Sequence, residues 1–254
     1  VLKPPVAMDG ADYLVVESTY GDRLHPPADT LDALARVINR TAARGGVVVI
    51  PAFAVGRAQS LLHSIGQLRA RGLVADMPVY LNSPMAANAL HIYEKYQSEL
   101  RLSPDECEAM AMLPQIIDTP EQSRALNTRK GPMIIIAASG MCEFGRVVHH
   151  LKAIVEDPAS EVVIVGFMAQ HTLGRRLVER RPKVRIHGVD WTRSCRVSVL
   201  EGFSAHADQQ DLVNFAEETR KRGALRHVVL VHGEVPQLRA LEQQLTERHF
   251  PSVS

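Results

Sequence analysis

Short apolar, β-branched runs alternate with amphipathic stretches along most of this chain. The first run, Tyr13 to Val16, halts at Glu17-Ser18-Thr19-Tyr20-Gly21, which predicts a buried strand that delivers a carboxylate to a loop. Asp29 then predicts a helix cap, with Leu31, Leu34, Ala35 and Ile38 on one helical face and Gly45-Gly46 closing it. Further strands are predicted at Val47 to Ile50, Val79 to Leu81, near Ile116, at Met133 to Ala138 and at Val162 to Val165. Helices are predicted from about Gly56 to Arg71, Pro84 to Gln97, Gly145 to Val155 and Leu173 to Arg180. Leu61, Leu62, Ile65 and Leu68 form a stripe at helical spacing that reads as core.

Continuous apolar strands alternating with amphipathic helices imply an α/β fold with a doubly wound, mainly parallel sheet covered on both faces. Ligands in such a sheet belong beyond the strand C-terminal ends. The unusual segments sit there: Pro51-Ala52-Phe53-Ala54-Val55-Gly56-Arg57, Asn82-Ser83-Pro84-Met85-Ala86, Ala138-Ser139-Gly140-Met141-Cys142 and Gly166-Phe167-Met168-Ala169-Gln170. From about Val184 two strand-like runs, Val184 to Val189 and Cys195 to Leu200, follow with no helix between them, and a second layer is expected to begin. It continues through Gly202-Phe203-Ser204-Ala205-His206-Ala207-Asp208, a helix to about Arg222, a strand at His227 to Val231, His232-Gly233-Glu234, and a helix ending near Arg248.

With 254 residues, 46% of them apolar, the chain can bury one large core or two ordinary ones. A net charge of +1 gives no global attraction for a polyanion, so nucleic acid would have to be held locally. Cys107, Cys142 and Cys195 are odd in number, far apart and outside any CxxC pattern, against both a disulfide framework and a zinc finger. This usage fits a reducing, cytoplasmic setting. No apolar run is long enough to span a bilayer, so no membrane partner is expected, and the Pro-rich start without methionine is expected to be a cut end.

Three polar clusters stand where apolar strands stop: Glu17, His206 with Asp208, and His232 with Glu234. Taken singly, each has a bland explanation. A carboxylate after a strand often serves at the surface or as a cap, an isolated histidine often satisfies a backbone group, and Asp208 is placed to cap the helix after it.

Their spelling says more. Glu17-Ser-Thr-Tyr-Gly, Phe203-Ser-Ala-His206-Ala-Asp and Val231-His232-Gly-Glu resemble, in order and spacing, the motifs that the β-CASP family adds to a metallo-β-lactamase fold. Pro51-Ala-Phe-Ala-Val-Gly-Arg-Ala-Gln, Ser83-Pro-Met-Ala, Ala138-Ser-Gly-Met-Cys and Thr172-Leu-Gly-Arg-Arg resemble further landmarks of that family, so the likeness runs from about Asp12 to Glu234. It implies a β-CASP domain over 23–183, set within a truncated metallo-β-lactamase sandwich made of 1–22 and 184–254. The implied function is zinc-dependent hydrolysis of RNA phosphodiesters, by endonuclease or 5′-exonuclease action, with single-stranded RNA as partner and two zinc ions in the full-length protein. By the same resemblance His232 is a zinc ligand, and His206 is the proton donor to the leaving oxygen, oriented by Glu17. A carboxylate beside an imidazole fixes its tautomer and favours the protonated form a general acid uses.

No HxH spacing occurs among the eleven histidines, and the family's HxHxDH run has no counterpart before Glu17. One imidazole cannot hold a catalytic zinc, which takes three protein ligands, so this chain by itself is expected to bind no zinc tightly. Substrate contacts are expected from Ser204, beside His206, and from Arg57, Ser139, Gly140, Arg146 and Arg175 near predicted helix starts, with ordinary solvated arginines and tight turns as the alternative. A non-catalytic RNA-binding scaffold and a DNA nuclease stay open; the histidine of the third motif, His232, favours RNA, because DNA-directed members of the family typically carry valine there. A nucleotide-binding module lacks any GxGxxG or Walker sequence. A truncated sandwich exposes apolar surface, which predicts self-association into a homo-oligomer.

Overall fold

The computed structural model describes residues 1–3, 9–25 and 30–254. The proposed cap Asp29 lies outside these residues. Two compact units are present: one comprises 1–3 and 30–203, the other 9–25 and 204–254.

The first unit is built on a six-stranded, all-parallel sheet. Its strands are β2 (Val47–Pro51), β3 (Val79–Asn82), β4 (Gln115–Ile116), β5 (Met133–Ala137), β6 (Glu161–Ile164) and β9 (Arg196–Val199), in the order β4-β3-β5-β2-β6-β9. Successive residues of each strand point to opposite faces, so an unbroken apolar strand feeds two cores. Val48 and Ile50 of β2, with Ile134 and Ile136 of β5, pack against α1 (Thr30–Ala42), α2 (Arg57–Ala70), α3 (Pro84–Lys95) and α4 (Pro104–Met112). Val49, Met133 and Ile135 pack on the other side against α5 (Pro120–Thr128), α6 (Arg146–Ile154) and α7 (Leu173–Val178). Each fully buried aliphatic side chain contributes on the order of 1.5–3 kcal/mol, which makes this double core the main source of stability.

Two of these helices carry no apolar stripe and escape a reading by periodicity. α4 and α5 are instead set by their starts. Ser103 and Thr119 form capping boxes with Glu106 and Gln122, and Pro104 and Pro120 occupy the first turn.

The run Val184 to Val189 is not one strand. His187 and Gly188 both adopt positive φ, 50° and 78°, and turn the chain between β7 (Lys183–Ile186) and β8 (Val189–Thr192), which pair antiparallel. Nor does a second layer begin at Val184: Cys195 to Leu200 supplies β9, an edge strand of the first sheet, and the first unit extends through Phe203.

One buried charge anchors the β6–β9 edge. Glu161 is fully buried and accepts hydrogen bonds from Arg40 Nε at 3.0 Å, Arg40 Nη2, Ser198 Oγ at 2.7 Å, Thr41 Oγ1 at 3.2 Å and Arg44 Nη2 at 3.4 Å. Burial opposes its ionisation, yet the donors of Arg40 and Ser198 outweigh burial and hold the carboxyl below the ordinary carboxylate range. Arg40→Gln is expected to destabilise the protein by about 1–2 kcal/mol in urea unfolding; the cost is limited because Arg40 is partly exposed and Arg44, Thr41 and Ser198 remain.

In the second unit, β1 (Tyr13–Glu17) pairs in parallel with β10 (His227–Val231), and the C-terminal residues Ser252–Ser254 add backbone bonds to Val228 and Leu230. Leu14, Val16, Val228 and Leu230 face α8 (Gln209–Arg222) and α9 (Val235–Glu247). On the opposite face Tyr13, Val15 and Val231 are exposed, so the anticipated apolar surface exists. By the same alternation Glu17 lies on that uncovered face.

Candidate active site

β1 ends at Glu17, and the loop after it is fixed by close backbone approach. A side chain on Gly233 would stand 2.9 Å from the carbonyl oxygen of Ser18, so glycine lets the loop after β10 lie against the loop after β1. His232, just before it, adopts φ 53°, a left-handed conformation uncommon for non-glycine residues and frequent at functional sites. Asp208 caps α8 by accepting from Asp211 N at 2.9 Å, as its sequence position predicts, and its other oxygen accepts from His25 N at 2.9 Å. His25 Nε2 lies 2.9 Å from the His206 carbonyl oxygen, which further fixes the backbone that carries His206.

The two loops and the start of α8 bring Glu17, His206 and His232 together. His206 Nδ1 lies 3.0 Å from Glu17 Oε2, and the other carboxylate oxygen accepts from Ala207 N at 3.2 Å. The rings of His206 and His232 stack with centroids 5.3 Å apart. Burial disfavours the charge on Glu17, but hydrogen bonds from Thr19 and His206 prevail and hold its carboxyl below the usual range. An ionised Glu17 requires the proton of the His206 imidazole to sit on Nδ1, so its Nε2 is the nitrogen presented for chemistry.

Thr19 is the residue of this site that a reading of the sequence misses. Its hydroxyl donates to the His232 carbonyl oxygen at 3.1 Å and lies 3.3 Å from His206 Nδ1 and 3.1 Å from His232 Nδ1. One short side chain therefore sets the distance between two imidazoles more than 25 positions apart in sequence. The only signal in the sequence was its place two residues after Glu17.

Comparison with known proteins bears on this arrangement. Residues 58–177 match the Beta-Casp domain, and residues 192–253 match a domain described as the Zn-dependent metallo-hydrolase RNA specificity domain. A ribonuclease of Thermus thermophilus is 36% identical over 258 residues, an alignment that takes in 98% of this chain and 57% of that protein. The chain belongs to the metallo-β-lactamase/β-CASP family. An RNase J-like protein of Methanocaldococcus jannaschii is 31% identical over 89% of this chain and 53% of its own length. The transcription termination factor FttA of Methanosarcina mazei is 30% identical over 87% of this chain and 37% of its own length. The chain thus spans little more than half, or less, of these relatives.

The other β-CASP landmarks have structural duties in the first unit. Arg57, expected as a substrate contact, is buried and its guanidinium donates to the Val165 carbonyl oxygen, which sets aside the alternative of an ordinary solvated arginine. Arg146 spends its donors on Asn82 Oδ1 at 2.8 Å and on the carbonyl oxygens of Ile117 at 2.7 Å and Asp118 at 2.6 Å, tying the ends of β3 and β4 to α6. Gly140 is buried beneath Phe53, whose ring lies 3.0 Å from where a Cβ would stand, and the Ser139 carbonyl oxygen accepts from Cys142 N at 3.2 Å. Ser83 caps α3 and Thr172 caps α7. Arg175 pairs with Glu179 at 2.9 Å and lines a cavity of about 280 Å³ with Gln170, His171, Arg176 and Arg181. In the second unit, Ser204 Oγ accepts from His206 N at 3.3 Å, a contact that shapes the histidine loop.

Proposed function

We propose that this chain is part of a zinc-dependent RNA phosphodiester hydrolase, in which His206 is the proton donor, Glu17 positions it and His232 is a metal ligand. The observation that carries the reading is the 3.0 Å contact between His206 Nδ1 and Glu17, beside the stacked ring of His232. The carboxylate accepts the Nδ1 proton and supports positive charge on the ring, which leaves Nε2–H to protonate a leaving alkoxide. Thr19 accepts from His232 Nδ1–H, donates to the His232 carbonyl oxygen and lies 3.3 Å from His206 Nδ1, which holds the two rings in place.

The residues present fit a share of a metal site. Glu17, His206 and His232 each offer one ligand atom, all within 4.8 Å of one another, and imidazole and carboxylate are donors that zinc accepts. Since Nδ1 of His206 is committed to Glu17, His232 is the member that can join an ion and leave the proton donor intact. When bound, zinc lowers the pKa of its water and stabilises charge on phosphoryl oxygens. The names of the relatives, two of them ribonucleases or RNase-like, support RNA as the substrate, as does His232 in the third motif. Endonuclease and exonuclease action share this chemistry.

The test is degradation of 5′-labelled single-stranded RNA, beside DNA of the same sequence, by the polypeptide extended to the length of its relatives. Chelator-sensitive loss of RNA in preference to DNA is the expected result. RNA that binds but stays intact with zinc supplied would turn the assignment to a scaffold; preferential loss of DNA would turn it to a DNA nuclease.

A further inference from the structure

The chain's charge is nearly balanced overall but not locally. Between Arg175 and Arg196 there are eight Lys and Arg residues and two acidic ones, a net +6, so the remainder of the chain carries −5 within the total of +1. Seven of these cations lie on α7, the β7–β8 hairpin and the turns beside them, elements that pack on one another within the first unit, whereas Arg196 alternates with Val197 and lies on the other side of β9, with Glu161 and Ser198. The hairpin sorts them by strand alternation: Val184 and Ile186 point into the core, while Lys183 and Arg185 are exposed on the outer face at a spacing of about 7 Å. That interval is on the scale of successive phosphates in an extended nucleic-acid strand.

The support is rigid. Arg193 donates to the carbonyl oxygens of Arg181 at 3.2 Å and Cys195 at 2.7 Å, clamping the end of α7 to the hairpin and β9. Lys152 lies 5.4 Å from the Trp191 ring and the His149 and His187 rings lie 4.7 Å apart in a tilted arrangement, which anchors the hairpin on α6. Little of the charge is neutralised in place. Glu179 takes Arg175 and Arg181 and Asp190 stands across the hairpin from Arg185, whereas Arg176, Arg180, Lys183 and Arg185 have no carboxylate within ion-pair distance among the described residues. Keeping like charges this close costs self-repulsion, which a polyanion relieves while releasing its own counterions.

We infer that this face, α7 with the β7–β8 hairpin, is a binding surface for the phosphate backbone of single-stranded RNA, formed by residues other than the Glu17–His206–His232 group. The inference rests on the RNA reading of that group. It adds an electrostatic hold that does not read sequence and that the local charge alone can supply.

The experiment is fluorescence anisotropy of a 5′-labelled single-stranded RNA titrated with this polypeptide across a series of salt concentrations, with chelator present to keep the RNA whole. The triple variant Arg180→Gln, Lys183→Gln, Arg185→Gln removes three exposed cations of this face with little structural duty. The control Arg36→Gln, Arg101→Gln, Arg239→Gln removes three exposed arginines elsewhere. The tract variant is expected to bind about 10- to 50-fold more weakly near physiological salt, and its slope of log affinity on log salt to be shallower by about 2, while the control keeps the parent's slope to within about 1. Parent-like affinity and slope in the tract variant would overturn the surface and leave the nuclease assignment standing. A parent chain that does not bind RNA at all would overturn both, whereas binding without cleavage in the extended protein strikes only the catalytic assignment.

Discussion

His206→Ala is expected to lower RNA cleavage by about 100- to 10,000-fold in the protein extended to the length of its relatives, the range lost when a positioned general acid is removed. The leaving alkoxide then has only water as proton source. Glu17→Gln should cost less, because an amide can still accept from Nδ1 but cannot offset an imidazolium, and it should change the pH–rate profile as well as the rate. Both substitutions leave the β1–β10 pairing and the α8–α9 core untouched, so far-ultraviolet circular dichroism should be unchanged. Single-turnover cleavage of labelled RNA is the measurement. A His206→Ala protein within threefold of the parent rate would remove the proton-donor role, and it would leave the 3.0 Å contact as a structural bond.

The second large effect concerns stability in acid. His150 is buried between Asn82 and Asn127: Asn82 Nδ2 donates to its Nε2 at 2.6 Å, and its Nδ1–H donates to Asn127 Oδ1 at 2.6 Å. Asn82 cannot turn its oxygen toward the ring, because Oδ1 accepts from Arg146 and its amide also donates to Ser123 Oγ. Burial, followed by the charges of His149 and Arg146, pushes the His150 pKa from 6.5 down to about 4. Above pH 6.5 both folded and unfolded forms are neutral and stability is full. Below it the unfolded chain takes up a proton that the folded protein refuses until pH 4 is approached, so stability falls across that window by about 3 kcal/mol. Urea unfolding at a series of pH values reads this loss. His150→Gln, which keeps a donor and an acceptor without titrating, should flatten that part of the curve; an equally steep curve in the variant would show that other groups carry it.

Much of this architecture was legible in the order of residues. Val48, Val49 and Ile50, or Ile134, Ile135 and Ile136, leave a strand no polar face, and only a sheet covered on both sides satisfies that pattern. The helices α4 and α5 were hidden because a capping box with proline, not a stripe, specifies them. The hairpin was hidden because β7 and β8 are joined by two residues and look like one run. His187-Gly188 marks the turn only once both are seen at positive φ.

The site divides in the same way. Its three polar ends were visible from spelling, since Glu17, His206 and His232 each follow an apolar strand or a tight loop. The polar contacts of the β-CASP landmarks were not. Arg57 and Arg146 look like phosphate ligands in a sequence, but in the fold buried Arg57 donates to the Val165 carbonyl oxygen and half-buried Arg146 to Asn82 and the carbonyl oxygens of Ile117 and Asp118.

Sequence alone determined the α/β class and the strand ends, because these depend on local period and composition, while the three chemical groups were picked out by the resemblance of their motifs to the family's. Tertiary structure decided that Glu17 and His206, 189 positions apart, share a hydrogen bond, and that Thr19 bridges both histidines. It also collected the cations of α7 and the β7–β8 hairpin on one support, and buried Glu161 among its partners. Distances between residues remote in the chain are fixed by packing and backbone approach, and no local pattern encodes them.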